Sequence, residues 1–378
     1  MKEIKKVLQD FIEKVKSLQE KDKKDRRFLG LTSSYVPEEI IVAAGMVPFR
    51  ITGSTYPLSL SKTYFSGNIS SFAQSCLEGA LRKEYDFLEG VIIGGETDAI
   101  KRLYDAWLHF VTKNDHVYLF DIPKLITGDA LLHYRESIIS LKQRIEKDFD
   151  LSIDDKKLFE AIALCNDTRS MLNKLNSLRK SGIAIIDSIQ ILEICQLGIS
   201  GDKNTFNTEL KALLGQLEDK IDYKNVTGAT QPRLLMTGSF QGGRELLSII
   251  QKSGGNLVCE DLDNRIGYFR TEVPSNNDPL LAIAIGYMEK PPSASVVDFQ
   301  KRADYLLSLI KEFNIKGVIY HVLKFDDPYL FEFPDIKESF SKNKIPVVRI
   351  ETEVGRMAEG QIKTRIEAFI DTLSLSYV

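Results

Sequence analysis

The sequence predicts an α/β protein with two separate parallel sheets. Short apolar runs that end at polar residues alternate with helical stretches in both halves of the 378-residue chain. This alternation is typical of parallel strands covered by helices. A chain of this length also exceeds what one ordinary core can bury. We therefore predict two Rossmann- or flavodoxin-like parallel-sheet domains, over residues 1–129 and 229–378, with a helical segment over residues 130–228.

The N-terminal part shows the strand–turn–helix order twice. Apolar residues between positions 4 and 21 have the spacing of an amphipathic helix. The stretch "FLGLTSSYVPEEIIVAAG" then predicts a short buried strand, a serine-rich turn and a helix that begins near Pro37 and ends at Gly45. "DFLEGVIIGGETDAIKRLYDAW" repeats this order, and "DHVYLFDIP" predicts one more strand.

The remaining sequence divides into helices and further β-α-β units. "HYRESIISLKQRIEKDFD" and "DDKKLFEAIALCNDTRSMLNKLNSLRKSG" predict long helices with few strand signals between them. Strand patterns return in "QPRLLMTGSFQGGRELLSIIQKSGGNLVCEDLDN" and in "GVIYHVLKFDDPYLFEFPDIKESFSKNKIPVVRIETEV". A last helix is predicted over "AEGQIKTRIEAFIDTLS".

Composition excludes several classes of partner. The chain is 43% hydrophobic and 27% charged with a net charge of -3, so it has no basic surplus for neutralising phosphates. Its apolar runs are shorter than a membrane span, and its charged N-terminus lacks the apolar core of a signal peptide. We expect a cytoplasmic protein that binds neither nucleic acid nor membranes.

The cysteines and histidines give no metal-binding pattern. No CxxC pair occurs, and every cysteine lies in an apolar context, so we expect buried free thiols. These cysteines are Cys76, Cys165, Cys195 and Cys259. The four histidines are scattered without the spacing of metal ligands. They are His109, His116, His133 and His321, and His321 is expected to be packed inside a strand.

Two further motifs have an ordinary explanation. "TGSFQGG" could offer backbone N–H groups to a phosphate, but it is neither GxGxxG nor a Walker sequence, which favours a simple tight turn. No GxSxG motif is present, and the Ser33–Ser34 pair has no base partner visible in the sequence. Hydrolase chemistry is therefore unsupported.

Polar residues follow four of the predicted strands. They are Ser33–Ser34, Glu96–Thr97–Asp98, Glu260–Asp261–Asp263 and Asp326–Asp327. If the two sheet domains face each other, these strand ends could line one cleft, where open α/β sheets place ligands. Alternatively they cap the following helices, as Thr97, Asp98 and Asp263 could do. The residues alone leave both interpretations open.

Several longer stretches resemble a known family. "TSSYVPEEIIVAAGMVPFRITG", "TYFSGNISSFAQSCLEGALRKEYDFLEGVIIGGETDAIKRLYDAW", "GYFRTEVP", "GVIYHVLKFDDPYLFEFP" and "EGQIKTRIEAF" occur in order over nearly the whole chain. Together they are similar to the 2-hydroxyacyl-CoA dehydratase and benzoyl-CoA reductase subunit family, especially its β-type subunits of the 2-hydroxyglutaryl-CoA dehydratase D-component type.

The resemblance implies a reaction, cofactors and partners. The reaction is radical elimination of water from an (R)-2-hydroxyacyl-CoA, or a related acyl-CoA reduction. The implied partners are a homologous subunit in a hetero- or homodimer and an ATP-dependent iron–sulfur activator. Family subunits usually hold a [4Fe–4S] cluster through cysteines at strand ends.

This chain departs from the family at the cluster ligands. The positions that match the family's cluster cysteines hold Ser70, Thr97, Asp263 and Asp326. Cys76 matches a family cysteine that is not the usual ligand. Hard oxygen donors are poor substitutes for the thiolates that iron–sulfur clusters prefer. We therefore predict that this chain binds no cluster and no metal, and that the clusters lie in the partner subunit and the activator.

Three functional hypotheses remain. In the first, the chain is a cluster-free subunit of a dehydratase-type complex, and a set of strand-end residues lines a substrate or CoA cleft. These residues are Ser33, Ser34, Arg50, Glu96 and Asp98. In the second, the chain is a non-catalytic scaffold that binds an acyl-CoA or another small ligand. In the third, Glu96, Thr97, Asp263 and Asp326 offer oxygen ligands to Mg²⁺ or Mn²⁺.

Overall fold

Two four-stranded sheets, both entirely parallel, organise the computed structural model of the chain. The structure describes residues 2–111, 116–181, 186–220, 231–239, 244–263, 265–295 and 298–375. Part of the "TGSFQGG" turn, residues 240–243, lies outside the described residues, so the phosphate-binding alternative for this turn stays untested.

The first sheet is built from the N-terminal part of the chain. The same part of the chain contains the helices α1 (Lys2–Asp25), α2 (Glu38–Ala43), α3 (Ser71–Leu81) and α4 (Asp98–Phe110). Its strands are β1 (Phe28–Leu31), β2 (Val47–Arg50), β3 (Leu88–Gly94) and β4 (Val117–Phe120), in the order β2-β1-β3-β4. As predicted, Gly45 lies just beyond the end of α2, at φ +74°, a left-handed conformation that glycine adopts easily.

Four long helices follow, and the second sheet comes after them. The helices are α5 (Gly128–Phe149), α6 (Asp155–Ser177), α7 (Ser188–Ile199) and α8 (Lys203–Lys220). The second sheet contains β5 (Arg233–Gly238), β6 (Asn256–Asp261), β7 (Gly317–Leu323) and β8 (Val347–Thr352), in the order β6-β5-β7-β8. The helices in this part of the chain are α9 (Arg244–Lys252), α10 (Ile266–Phe269), α11 (Pro279–Met288), α12 (Phe299–Glu312), α13 (Asp327–Lys342) and α14 (Glu359–Leu375).

The two sheets share one topology. In each, the first strand is an inner strand, the second pairs on one side of it, and the third and fourth continue on the other side. The strand order therefore reverses between β1 and β3 and again between β5 and β7, which is where open α/β sheets form a crevice at the carboxyl ends of their strands. The predicted pair of parallel-sheet folds is confirmed, and the residue boundaries given for the domains stay a prediction.

The cores confirm some sequence expectations and add a feature that was not predicted. All four cysteines are free and buried, as expected. Helix α11, absent from the sequence-based prediction, packs on α5 and α6 and buries Ile283 in the same core as Leu29 of β1. Over the described ranges, no helix combines the length and the apolar character needed to cross a bilayer.

Candidate functional site

Side chains from the carboxyl ends of both sheets meet at Asp263, two residues beyond β6. The hydroxyl of Ser34, which follows β1, donates a hydrogen bond to one carboxylate oxygen of Asp263. The guanidinium of Arg50, the last residue of β2, donates to the other oxygen. The Arg50 side chain is only 2% exposed and that of Asp263 is 22% exposed. An ion pair therefore links the strand ends of the two sheets.

Glu96 and Ser33 lie beside this ion pair. The Ser33 hydroxyl donates a hydrogen bond to Glu96, which comes just after β3. Burial, followed by the neighbouring Asp263 charge, raises the pKa of Glu96 to about 7, although Ser33 and Arg50 act in the opposite direction. We call Ser33, Ser34, Arg50, Glu96 and Asp263 the strand-end cluster. At neutral pH its Glu96 carboxyl is divided between the protonated and ionised forms.

The second sheet contains a pair that corresponds to Ser33 and Glu96. Ser239 follows β5, accepts a hydrogen bond from the Leu323 N–H at 2.7 Å, and makes a further hydrogen bond with the Asp326 carboxyl. Burial raises the pKa of Asp326 to about 7, and the adjacent Asp327 charge contributes to the rise. In both sheets a serine after the first strand thus faces an acid after the third, as the shared topology requires.

The remaining predicted residues lie at helix starts. Thr97 caps α4, with its hydroxyl accepting the Ile100 N–H at 3.3 Å. Asp98 is exposed in the first turn of α4. Ser70 is buried just before α3, and the N–H of the next residue, Ser71, donates to the Lys324 carbonyl at 3.3 Å. The structure thus brings four of the five predicted cleft residues together and leaves Asp98 at the surface.

The helix-capping alternative is right for Thr97 and wrong for Asp263. Helix α10 begins at Ile266, directly after Arg265, and has no side-chain cap, while the Asp263 oxygens accept hydrogen bonds from Ser34 and Arg50. Asp326 precedes α13 but makes no capping hydrogen bond either. These carboxylates therefore make contacts between strand ends instead of capping helices.

Replacing Thr97 by alanine is expected to lower the free energy of unfolding by about 1 kcal/mol, since the first turn of α4 loses its side-chain acceptor. Serine at this position is expected to keep most of the stability because its hydroxyl can accept the same N–H. Urea denaturation of both variants measures the difference. Equal stability of the two variants would contradict a capping role.

Lys290 is a member of this region that the sequence analysis missed. Its ammonium group donates to the Ser34 carbonyl and lies 3.9 Å above the centre of the Tyr287 ring. Burial, with a contribution from the Arg169 charge, lowers the pKa of Lys290 to about 7. The segment after α11 thus holds the turn that carries Ser33 and Ser34. The sequence shows only that this lysine directly precedes Pro291 and Pro292, and that position does not identify its partner.

Two cavities of different size lie near these residues. The one bordered by Ser34, Asp263 and Arg302 has a volume of about 20 Å³, enough for one water molecule. A second cavity of about 310 Å³ lies between residues 52–57 and 352–359, and His321 lies in its wall. Its volume is at the lower end of the range for small-molecule sites. We call it the interdomain cavity.

His321 presents a neutral imidazole to the interdomain cavity. Its Nε2 lies 2.7 Å from the Thr352 hydroxyl, and burial lowers its pKa to about 4. The expectation of a packed histidine inside a strand is confirmed, because His321 is 3% exposed in β7.

The residues do not fit an iron–sulfur cluster. Burial raises the pKa of all four cysteine thiols, which opposes formation of the thiolates that iron requires. The positions expected to match the family's cluster cysteines offer oxygen atoms, and Asp263 is already paired with the Arg50 guanidinium. Soft iron–sulfur centres are poorly served by such donors.

One group among the described residues has the proximity of a metal site. The ligand atoms of Glu38, Glu39 and Cys165 all lie within 4.8 Å of one another. However, Arg169 lies 2.6 Å from Glu39 and Lys203 lies 2.7 Å from Glu38. Because two cations already balance the two carboxylates, we interpret this group as a structural ion network.

Comparison with known proteins identifies the family. The model of the 2-hydroxyglutaryl-CoA dehydratase, D-component, family matches residues 33–373. The chain is 28% identical to the (R)-phenyllactyl-CoA dehydratase beta subunit of Clostridium sporogenes, over 92% of each protein. It is 26% identical to a benzoyl-CoA reductase subunit of Thauera aromatica, over 93% of this chain and 92% of the relative.

A third relative is likewise named as a subunit of such an enzyme. The chain is 25% identical to the beta subunit of (R)-2-hydroxyglutaryl-CoA dehydratase from Acidaminococcus fermentans, over 92% of this chain and 93% of the relative. These relatives are named as subunits of dehydratase or reductase enzymes, and the resemblance drawn from the sequence motifs is confirmed. The chain belongs to the 2-hydroxyglutaryl-CoA dehydratase, D-component, family.

Proposed function

We propose that this chain is a subunit of a 2-hydroxyacyl-CoA dehydratase-type complex that lacks its own [4Fe–4S] cluster. The complex would eliminate water from an (R)-2-hydroxyacyl-CoA, or carry out a related acyl-CoA reduction. The clusters would lie in a homologous partner subunit and in an ATP-dependent activator. This chain would supply structure and part of a substrate pocket.

The ion pair between Arg50 and Asp263 carries this proposal. Asp263 matches a cluster-cysteine position of the family, yet both of its oxygens are engaged by protein donors from the opposite sheet. The neighbouring cavity has room for about one water molecule. Arg50 thus balances the Asp263 charge, and the cavity beside this pair is far smaller than a cofactor of cluster size. The role of the strand-end cluster in the complex is to hold the two sheets together.

Iron analysis tests this proposal directly. We expect anaerobically purified protein to contain close to no iron or acid-labile sulfide and to show no charge-transfer absorption in the visible range. A ferredoxin prepared in parallel controls for cluster loss during handling. Stoichiometric iron and sulfide in this chain would contradict the cluster-free assignment.

The interdomain cavity supports a second candidate function, a scaffold that binds a small ligand without turnover. Its walls include apolar side chains such as Leu246 and Leu323 together with the polar His321 and Thr352. Such a mixture is common in ligand sites. Calorimetric titration of the isolated chain with acetyl-CoA tests this role. Binding without turnover in the presence of any partner would favour the scaffold over the dehydratase subunit.

No observation favours the divalent-metal hypothesis. The Arg50 guanidinium is paired with the Asp263 carboxylate, and the Asp326 carboxyl is hydrogen-bonded to Ser239. The Thr97 side chain caps α4. The hypothesis stays a prediction, and metal analysis of the same purified sample would test it.

A further inference from the structure

A long loop follows Arg50 of the strand-end cluster and exposes several large apolar side chains. Residues 51–70 connect β2 to α3, and this 20-residue connection contains one short 3₁₀ turn, Ser61–Thr63. Connections in compact domains are usually about 4–6 residues long, and much longer ones are commonly functional. The length of this loop therefore calls for an explanation.

A buried carboxylate fixes the loop from within. Glu78 of α3 accepts the N–H groups of Ser59 at 3.0 Å and Ser61 at 2.9 Å. Although burial acts to raise the pKa of Glu78, these backbone hydrogen bonds lower it to about 2. Arg82 adds a hydrogen bond to the Ser59 hydroxyl at 3.1 Å and lies 4.8 Å from the centre of the Tyr56 ring. These contacts hold the loop in one conformation in the isolated chain.

Three large apolar or aromatic side chains stand exposed among polar residues of the loop. Tyr56 is 55% exposed, and Leu60 and Tyr64 are each 43% exposed. Phe110, at the end of α4, is 52% exposed, and its ring centre lies 4.4 Å from that of Tyr64. We call Tyr56, Leu60, Tyr64 and Phe110 the aromatic loop patch.

The size and composition of the patch suit the centre of a protein–protein interface. About half of the area of four large side chains amounts to roughly 400 Å² of exposed surface. That is about half of the ~800 Å² that one partner buries in a standard interface. Tyrosine and other aromatic residues are enriched at interface centres and among the residues that dominate binding energy.

One end of the loop belongs to the strand-end cluster. The loop leaves β2 at Arg50, and it ends at Ser70, beside the contact between the Ser71 N–H and the Lys324 carbonyl. A protein bound to the aromatic loop patch would thus contact the segment that directly follows Arg50. Two of the relatives are named as beta subunits, a name that distinguishes them from another kind of subunit, which favours a different chain over a second copy.

We propose that the aromatic loop patch is the surface to which the homologous, cysteine-bearing subunit of the complex binds. This inference rests on the proposed function, because it takes its partner from the dehydratase-type complex. The patch supplies the apolar centre of the contact, and the polar loop residues around it supply the rim. The preformed loop conformation lowers the entropy lost on binding.

Co-expression with a homologous, cysteine-bearing subunit tests the inference. The variant Tyr64→Ser/Phe110→Ser is expected to weaken the complex by roughly 100-fold, since two aromatic contacts at an interface centre are lost. Leu60→Asp is expected to weaken it independently by placing a charge in the apolar contact. The matched control Leu132→Ser/Phe159→Ser removes side chains that are 60% and 41% exposed elsewhere, and it should bind like the wild type.

The possible outcomes separate this inference from the function on which it rests. If the wild-type chain forms no complex with that subunit, the proposed function fails. If the wild type binds and both patch variants bind equally well, with melting temperatures unchanged, only the inference fails. If the patch variants instead abolish self-association of the isolated chain in sedimentation, the occupant is a second copy and the inference is overturned. Reduced hydrogen exchange of residues 51–70 in the wild-type complex would support it without any substitution.

Discussion

Replacement of Arg50 by leucine is expected to lower the free energy of unfolding by about 3 kcal/mol at pH 7. The Asp263 carboxylate would lose its only described ion-pair partner while remaining mostly buried. Removing one member of a buried pair typically costs about 3–5 kcal/mol. Because Asp263 keeps 22% of its side chain exposed, partial solvation places the expected loss at the lower end of that range. Urea denaturation followed by circular dichroism measures the change.

The double variant Arg50→Leu/Asp263→Leu provides the control for this prediction. Removing both charges leaves no uncompensated carboxylate at this position, so the double variant should be clearly more stable than Arg50→Leu alone. Equal losses in the single and double variants would mean that Arg50 stabilises the chain by packing alone. The ion pair would then not explain the contact between the two sheets at the strand-end cluster.

The sequence predicted the parts of this site that depend on local order along the chain. Ser33, Ser34 and Glu96 could be expected together because each directly follows a parallel strand of the same sheet, and such strands end at one edge. The alternation of strands and helices likewise predicted both sheets. Family resemblance added the match of Asp263 and Asp326 to cluster-cysteine positions, which periodicity could not give.

Contacts between distant segments could not be predicted in this way. Arg50 and Asp263 lie 213 positions apart, and Lys290 lies 256 positions from Ser34. Nothing in local periodicity indicates which strand ends of one sheet face which strand ends of the other. The same limit explains why capping by Asp263 stayed an open alternative, because an aspartate before a short helix looks locally like a cap until its partners across the site are known.

Replacement of Glu96 by glutamine is expected to change how stability depends on pH. The pKa of Glu96 is about 7 in the folded chain and near its ordinary value of 4.5 in the unfolded chain. Between these values unfolding releases a proton, so the wild type loses stability as the pH rises and the loss is complete above pH 7. Glutamine cannot titrate and does not contribute this loss. Relative to the wild type, Glu96→Gln should therefore gain about 3 kcal/mol in free energy of unfolding between pH 4.5 and pH 8.

The comparison isolates Glu96 because the other titrating groups occur in both proteins. The contributions of Asp326, Lys290 and His321 cancel in the difference, while Asp263 and Arg50 remain next to position 96 in both. Asp98→Asn, at an exposed acid two residues away, is the matched control for the loss of one carboxylate from this region. If the difference between Glu96→Gln and the wild type does not change with pH, Glu96 is already ionised in the folded chain at pH 5. Arg50 would then face two carboxylates, and the strand-end cluster would carry a net negative charge able to attract a cation.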